Sequence, residues 1–286
     1  MDLLSRFVSR PDYHQLPAYA RVMERIGWDV IPMNGQYLFV RRIGPISIAK
    51  FQRPQSIDFS NLKKLQKRLP LVKTYIDPGL SLDLEILRSN GLKETKNHHA
   101  YTKTFICNLH GSEEKILASF SKTLKYQMLR SLRMGVSYKV VAFVNLTEET
   151  KTEIVKLHSE WETEKKVSGY PNNFLRILWQ EMQKEGSMIL AYEGKTLHGA
   201  LYFLHHHGVA MYFYQYTSQK GRQSLYVPSG LAYQTVKLAK FLGCDILDLC
   251  SAYDERFGTE NLKWKGFSVH KEHFHPTSVY YPPSFQ

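Results

Sequence analysis

The stretch ENLKWKGFSVHKEHFH, residues 260–275, gathers the side chains of this chain best suited to chemistry. Lys263 and Lys265 bracket Trp264, a Gly-Phe pair follows, and His270, His273 and His275 come soon after. A lysine held beside a large ring can stabilise an oxyanion or a phosphate electrostatically. The ring itself offers a base a stacking surface. The same residues also read as a surface lysine beside a core tryptophan. Three histidines invite a metal, but the segment reads as a strand, where His270 and His273 face opposite ways. The histidines at 205–207 alternate in the same manner. Well-spaced Cys, His or carboxylate partners are not apparent, so no metal is expected.

Two further basic groups stand out. In SQKGRQSLYVPSG, Lys220, Gly221 and Arg222 lie just ahead of a helix beginning at Val227, whose free N–H groups make an anion site. A strand, a basic Gly-containing loop and a helix N-terminus can hold the pyrophosphate of an acyl-CoA. The Gln/Arg-x-x-Gly-x-Gly/Ala loop usual for that role does not read cleanly, and an ordinary exposed loop before a capped helix fits too. In KTLKYQMLRSLRMGVSYKV, Lys122, Lys125, Tyr126, Arg130 and Arg133 recur at spacings that put several on one helix face. Such a face suits phosphates or an RNA backbone, and equally a solvated surface. Neither a Gly-x-Ser-x-Gly elbow nor a Walker A or Rossmann glycine string occurs.

These groups need a scaffold, and the composition provides one. Of 286 residues, 43% are hydrophobic, with 15 Phe and 18 Tyr, enough for a sizeable core. A net charge of +12 favours polyanionic partners such as nucleic acid, nucleotide phosphates or anionic lipid, although solubility alone also accounts for it. Cys107, Cys244 and Cys250 lie in apolar runs without C-x-x-C spacing, which predicts reduced core thiols and a cytoplasmic location. No run approaches 18 apolar residues and the first residues lack a signal-peptide pattern, so any membrane contact is expected to be peripheral.

Periodicity predicts a helix over 16–27, then two strands in QYLFVRRIGPISIAKF joined at Ile43-Gly44-Pro45. A helix in DFSNLKKLQKRL, a strand in LVKTYID, a helix closed by Gly91 and a strand in YTKTFICNL follow, and Ser112 starts another helix. The second half repeats that order: helices over TEETKTEIVKLHSEWETEKK and NNFLRILWQEMQKEG, three antiparallel strands within 187–218, a helix from Val227 closed by Gly243, and strands in CDILDLC and GFSVHKEHFH. The expectation is a tandem α/β protein of two related units, each of ~140 residues.

Three segments, in this serial order, carry a resemblance. They are TKTFICNLHGSEEKILASFSKTLKYQMLRSLRMGVSYKV, YQYTSQKGRQSLYVPSGLAYQTVKLAKFLGCDILDL and GTENLKWKGFSV. Together they resemble the Fem family of aminoacyl-tRNA-dependent peptidyltransferases, which attach amino acids to the stem peptide of peptidoglycan precursors. The match covers residues 100–275; the first hundred fit by element order. The chain is shorter than is usual for the family and lacks its long charged coiled-coil arm.

The resemblance implies two tandem acetyltransferase-like (GNAT-like) domains with mixed sheets flanked by helices, at 1–145 and 146–275, with a tail, 276–286, packing back on the protein. It makes Lys265 the lysine that stabilises the transition state when an amine attacks an aminoacyl ester, with Trp264 at the family's aromatic position. Arg41, Arg42, Lys50 and Arg176 become candidates for holding a nucleotide diphosphate. Arg130, Arg133, Lys220, Arg222 and Tyr253 complete the candidate substrate-binding set. No metal or cofactor is implied: aminoacyl-tRNA is a co-substrate, and the acceptor is a nucleotide- or lipid-linked precursor. An acyl-CoA-dependent N-acyltransferase and a non-catalytic RNA- or membrane-surface-binding protein remain the alternatives.

Overall fold

The computed structural model describes residues 1–166, 172–258 and 262–286. Residues 259–261, in the loop expected before WKGF, and the Lys263 side chain lie outside the described residues. The helices and strands run α1 (Leu3–Val8), α2 (Pro17–Arg25), β1 (Asp29–Met33), β2 (Gln36–Ile43), β3 (Ile46–Gln52), α3 (Phe59–Arg68), β4 (Leu71–Asp77), α4 (Leu84–Ser89) and β5 (Glu94–Thr95). They continue with β6 (Lys103–Asn108), α5 (Glu113–Ser119), α6 (Lys122–Arg133), β7 (Val136–Ala142), α7 (Glu148–Lys165), α8 (Asn172–Glu181), β8 (Gly186–Glu193), β9 (Thr196–His206) and β10 (Val209–Thr217). The chain ends with α9 (Gln219–Gln223), α10 (Val227–Phe241), β11 (Ile246–Ser251), α11 (Lys265–Glu272), β12 (Thr277–Tyr280) and β13 (Ser284–Phe285).

Helices begin where a short polar side chain can take a free amide. Asp58 accepts from Asn61 N at 3.0 Å, Ser121 from Leu124 N at 3.1 Å and Thr147 from Thr150 N at 3.2 Å. One sheet has the order β1-β2-β3-β4-β13-β5, the other β12-β6-β11-β10-β9-β8-β7. In each, three strands pair antiparallel, a helix follows, and the next strand lies parallel to the third. The first set is β1, β2, β3, then α3 and β4; the second is β8, β9, β10, then α10 and β11. This shared order is the duplication expected from the sequence.

The first unit comprises residues 1–104, 251–262 and 279–286, and the second 105–250 and 263–278. The boundary therefore falls after Thr104 rather than after residue 145. The reason is pairing: β7 lies along β8 from Val136↔Glu193 to Ala142↔Ser187, and α6 packs on α10, where Ser131 and Tyr138 meet Gly230. Residues 279–286 belong to the first unit, where Phe285 pairs with Ile76 and Ser284 with Thr95.

In the first unit one sheet face is apolar. Leu38, Val40, Ala49, Phe51 and Ile76 pack with Leu62 and Leu65 of α3, Leu87 of α4 and Phe285. In the second, Met188–Ala191 are wholly buried, and Trp179 of α8 stacks on Tyr202 with centroids 6.0 Å apart. The GFSVHKEHFH segment is a helix, not the expected strand. Its buried positions are Ser268, Lys271 and Phe274, a spacing of three, while Val269 stands 50% exposed. The short alternation of Phe267, Ser268, Val269 and His270 mimicked a strand.

Candidate functional site

The second unit is built around parallel strands that separate. β10 and β11 pair only at Val209↔Ile246, Ala210↔Leu247 and Met211↔Asp248. An irregularity between Tyr212 and Tyr214 then bends β10, and Tyr214–Thr217 continue in register with β9. The carboxyl ends of β10 and β11 thus diverge, the position where open α/β sheets take ligands. In the first unit the equivalent pair stays closed, from Ser47↔Leu71 to Gln52↔Asp77 at the ends of both strands. Only the second unit has this opening among the described residues.

At the end of β11, Cys250 adopts φ +57°, and its N–H donates to Asp248 Oδ1 at 2.7 Å. A β-strand residue in left-handed backbone marks a strained, over-determined spot. Lys271 of α11 reaches it from below: Nζ donates to the Cys250 carbonyl at 3.4 Å and lies 4.7 Å from the Phe267 ring. Burial pulls its pKa down to about 8, against the opposing pull of Cys250 and Asp248. His270 is lowered to about 4, by burial first and then by His273 and Lys271. It is neutral at physiological pH.

Lys265 is the first residue of α11 and is exposed, while Trp264 caps the helix half-buried, its ring 6.0 Å from Phe267. The helix therefore carries one solvated lysine at its start and one buried lysine at the sheet. Sequence reasoning singled out the first and missed the second. A strand reading gave no sign that Ser268, Lys271 and Phe274 share a face.

The anion site expected ahead of α10 is differently built. Pro228 has no N–H, and the Ser229 and Gly230 amides both turn back to the Tyr226 carbonyl at 3.1 Å. The Ser229 hydroxyl donates to Gln127 Oε1 at 2.8 Å. A Cβ on Gly230 would lie 1.7 Å from the Tyr138 hydroxyl, so this helix end is packed against protein. Lys220 is paired with Glu193 at 2.5 Å and Arg222 with Glu164. Arg176 donates to Glu148 Oε2 at 3.1 Å. These three cations are neutralised locally. Arg130 and Arg133 stand instead on the solvent face of α6, with Arg130 5.3 Å from the Tyr226 ring.

In the first unit, the sheet face opposite the apolar core carries a basic and aromatic group. Register places Lys50 between Phe39 and Tyr75. Its Nζ lies 4.4 Å from the Trp28 ring, which Arg41 also approaches, to 5.7 Å. Burial lowers the Lys50 pKa to about 8, Asp77 working against the shift and Arg41 with it. His99 is lowered too, by burial, with Asp77 opposing and Lys50 reinforcing. Its ring stacks edge-on to Tyr75 at 4.5 Å. Asp77 is buried; Oδ1 accepts from Ser284 Oγ at 2.5 Å and from His99 N at 3.2 Å, while Oδ2 has no hydrogen-bond partner among the described residues.

This group can bind an anion through Lys50 and Arg41 and a flat ring against Trp28. Arg42 points to the other face and pairs with Asp29 at 3.3 Å, both well exposed, so it is separated from Lys50 and Arg41. Tyr253 is engaged by its hydroxyl, which donates to the Gly258 carbonyl at 3.0 Å. Trp28, Asp77 and His99 went unnoticed in the sequence because strand register, not spacing, brings them to Lys50. Among the described residues no three His, Cys, Asp or Glu side chains form a group able to hold a metal ion. No described helix is long and apolar enough to cross a membrane.

No protein-family model and no curated protein sequence matches the chain. Solved structures do. FemX superposes with a TM-score of 0.79 over 98% of this chain and 94% of its own, at 12% identity. L-PGS from Bacillus licheniformis gives 0.63 over 96% and 92%, at 11%. A tandem GNAT protein from the clavulanic acid biosynthesis pathway gives 0.52 over 90% and 80%, at 10%. The chain has a Fem-like fold of two tandem acetyltransferase-like domains.

Proposed function

We propose that the chain is an acyltransferase that joins an amino acid carried by tRNA to the stem-peptide amine of a peptidoglycan precursor. The observation that carries this reading is the FemX-like double fold in which, among the described residues, the second unit alone opens its parallel strand pair. The diverging ends of β10 and β11 would take the acyl donor. The acceptor amine attacks the ester carbonyl, a C–N bond forms, the C–O bond to the tRNA ribose breaks, and the amine proton leaves with the ribose hydroxyl. The ester is already activated, so the protein needs chiefly to orient the amine and stabilise the oxyanion. Lys265, a cation at the start of α11, is assigned that stabilising role, with Trp264 beside it.

The Lys50, Arg41 and Trp28 group of the first unit is assigned to the acceptor's diphosphate. Two features support an aminoacyl ester over acyl-CoA. The α10 N-terminus is packed by Tyr138 and Ser131, and the cations ahead of it, Lys220 and Arg222, are held by carboxylates. A pyrophosphate would find few free donors there. Equilibrium binding tests this choice: charged tRNA is expected to bind at least tenfold more tightly than coenzyme A. The reverse order would move the assignment to an acyl-CoA donor.

A further inference from the structure

Helix α6 buries Leu124, Met128 and Ser131, at spacings of four and three, within the second unit. Its opposite face is neither purely polar nor purely apolar. Tyr126 is 54% exposed, Leu129 55%, Leu132 41% and Met134, just past the helix, 41%. Four large hydrophobic side chains within nine residues leave water nothing to hydrogen-bond except the Tyr126 hydroxyl, which Arg130 already engages at 2.5 Å. Lone exposed apolar residues need no explanation; several on one short helix do.

Cations are interleaved with them. Lys122, Lys125, Arg130 and Arg133 lie on or beside this face, and from Ser121 to Ala142 the sequence contains no Asp or Glu. Lys125 donates to the Ala118 carbonyl and Arg130 to Tyr126; among the described residues neither meets a carboxylate. Several cations elsewhere in the unit do meet one: Lys151 and Arg176 meet Glu148, Lys220 meets Glu193, and Arg222 meets Glu164. Among the described residues no carboxylate pairs with the positive charge of α6.

A polyanion would satisfy the arginines, but RNA gives nothing to Leu129, Leu132 and Met134, since stacking uses aromatic faces. An anionic lipid surface satisfies both sets. Aliphatic side chains enter the headgroup boundary while Lys and Arg stay at the phosphates. From this charge and apolar complementarity we infer that the outer face of α6 docks the protein onto an anionic phospholipid surface. The helix lies in the interface plane, with Leu129 and Leu132 directed into the lipid and Arg130 and Arg133 at headgroup level. Lys265, Trp264, Lys50, Arg41 and Trp28, the residues given roles in the proposed reaction, take no part; Arg130 and Arg133, expected from the sequence among the substrate-binding residues, serve the lipid surface instead.

Vesicle binding tests the docking directly. Full-length protein is expected to co-sediment with phosphatidylcholine vesicles containing phosphatidylglycerol, and at least tenfold more weakly with phosphatidylcholine alone. Removing both arginines (Arg130→Ala, Arg133→Ala) should weaken binding by roughly 25-fold, about fivefold per cation. Leu129→Ser with Leu132→Ser should weaken it about tenfold with the charge unchanged. A second readout does not depend on loss of binding. The three native cysteines are buried, so an environment-sensitive fluorophore can be placed selectively at Leu129→Cys or, as a control, at the 55% exposed Val72 of the first unit. Only the label at 129 should shift to the blue on anionic vesicles. An unshifted label, equal binding to neutral vesicles, or a leucine variant that binds as wild type would overturn the inference. If the arginine variant alone lost binding, and lost tRNA equally, the face would belong to RNA.

Discussion

The ammonium of Lys50 sits 4.4 Å from the ring centroid of Trp28, with a buried pKa near 8. A lysine in this state is poised: charged below pH 8, neutral above it, and able to gain charge when an anion arrives. Two hairpin strands and the residue before β1 bring the pair together, although 22 residues separate them in the chain.

The pH dependence of anion binding follows. Because burial lowers the Lys50 pKa from 10.5 to about 8, the charged form needed for binding is nearly complete a unit below that value, half present at it, and lost as pH rises further. Titration with a nucleoside diphosphate sugar, whose diphosphate diester stays fully ionised throughout, should give nearly constant affinity from pH 6 to 7. It should weaken above pH 8 by up to about tenfold per pH unit. Lys50→Met should bind weakly at all these values and show no slope; a slope that survives would place the titrating group elsewhere.

Gly230 has no room for a methyl group. A Cβ there would lie 1.7 Å from the Tyr138 hydroxyl and 2.4 Å from its ring carbon. Gly230→Ala should cost about 1–3 kcal/mol, read as a melting temperature several degrees lower. Tyr138→Phe should recover only part of the loss, since the ring carbon remains. Full recovery would mean that the hydroxyl was the sole obstacle.

Lys271→Met should behave unlike most core substitutions. The lysine is buried with a pKa lowered to about 8, so keeping it charged below pH 8 costs stability that is regained as pH rises toward 10.5. Methionine removes that cost, so at pH 7 the variant should be as stable as wild type or more stable by about 1–3 kcal/mol. The advantage should vanish near pH 10. Melts at both pH values decide it; strong destabilisation at pH 7 would show that the Cys250 carbonyl contact outweighs the burial cost.

Lys265→Ala should lower turnover by roughly a hundredfold, as for loss of one oxyanion donor, with an unchanged melting temperature. Its exposed position at the start of α11 predicts the intact fold. Wild-type turnover in the variant would remove the assignment.

Much of the architecture was legible because strong local signals agree with the tertiary structure. The turn at Gly44-Pro45, the cap at Ser112 and the helix from Val227 all stand where periodicity and turn chemistry put them. The unit boundary was not legible, because β7 joins the second unit through pairing with β8, more than forty residues away. The helical state of GFSVHKEHFH was hidden by a four-residue alternation that burial of Lys271 and Phe274 overrides. At the candidate site, Lys50 and Arg41 were visible as basic residues in a hairpin. Their relation to Trp28, Asp77 and His99 depends on register across three strands and on the Ser284 contact from the far end of the chain. Conversely, Lys220, Arg222 and Arg176 looked available in sequence, and the carboxylates that hold them lie 27, 58 and 28 residues away.

The most direct test of the proposed reaction is transfer of radiolabelled amino acids from a total charged-tRNA pool to purified peptidoglycan precursors, with and without ribonuclease. Labelled precursor that disappears on ribonuclease treatment and falls about a hundredfold with Lys265→Ala is the predicted result. Unlabelled precursor, alongside acyl transfer from coenzyme A thioesters to the same acceptors, would contradict it.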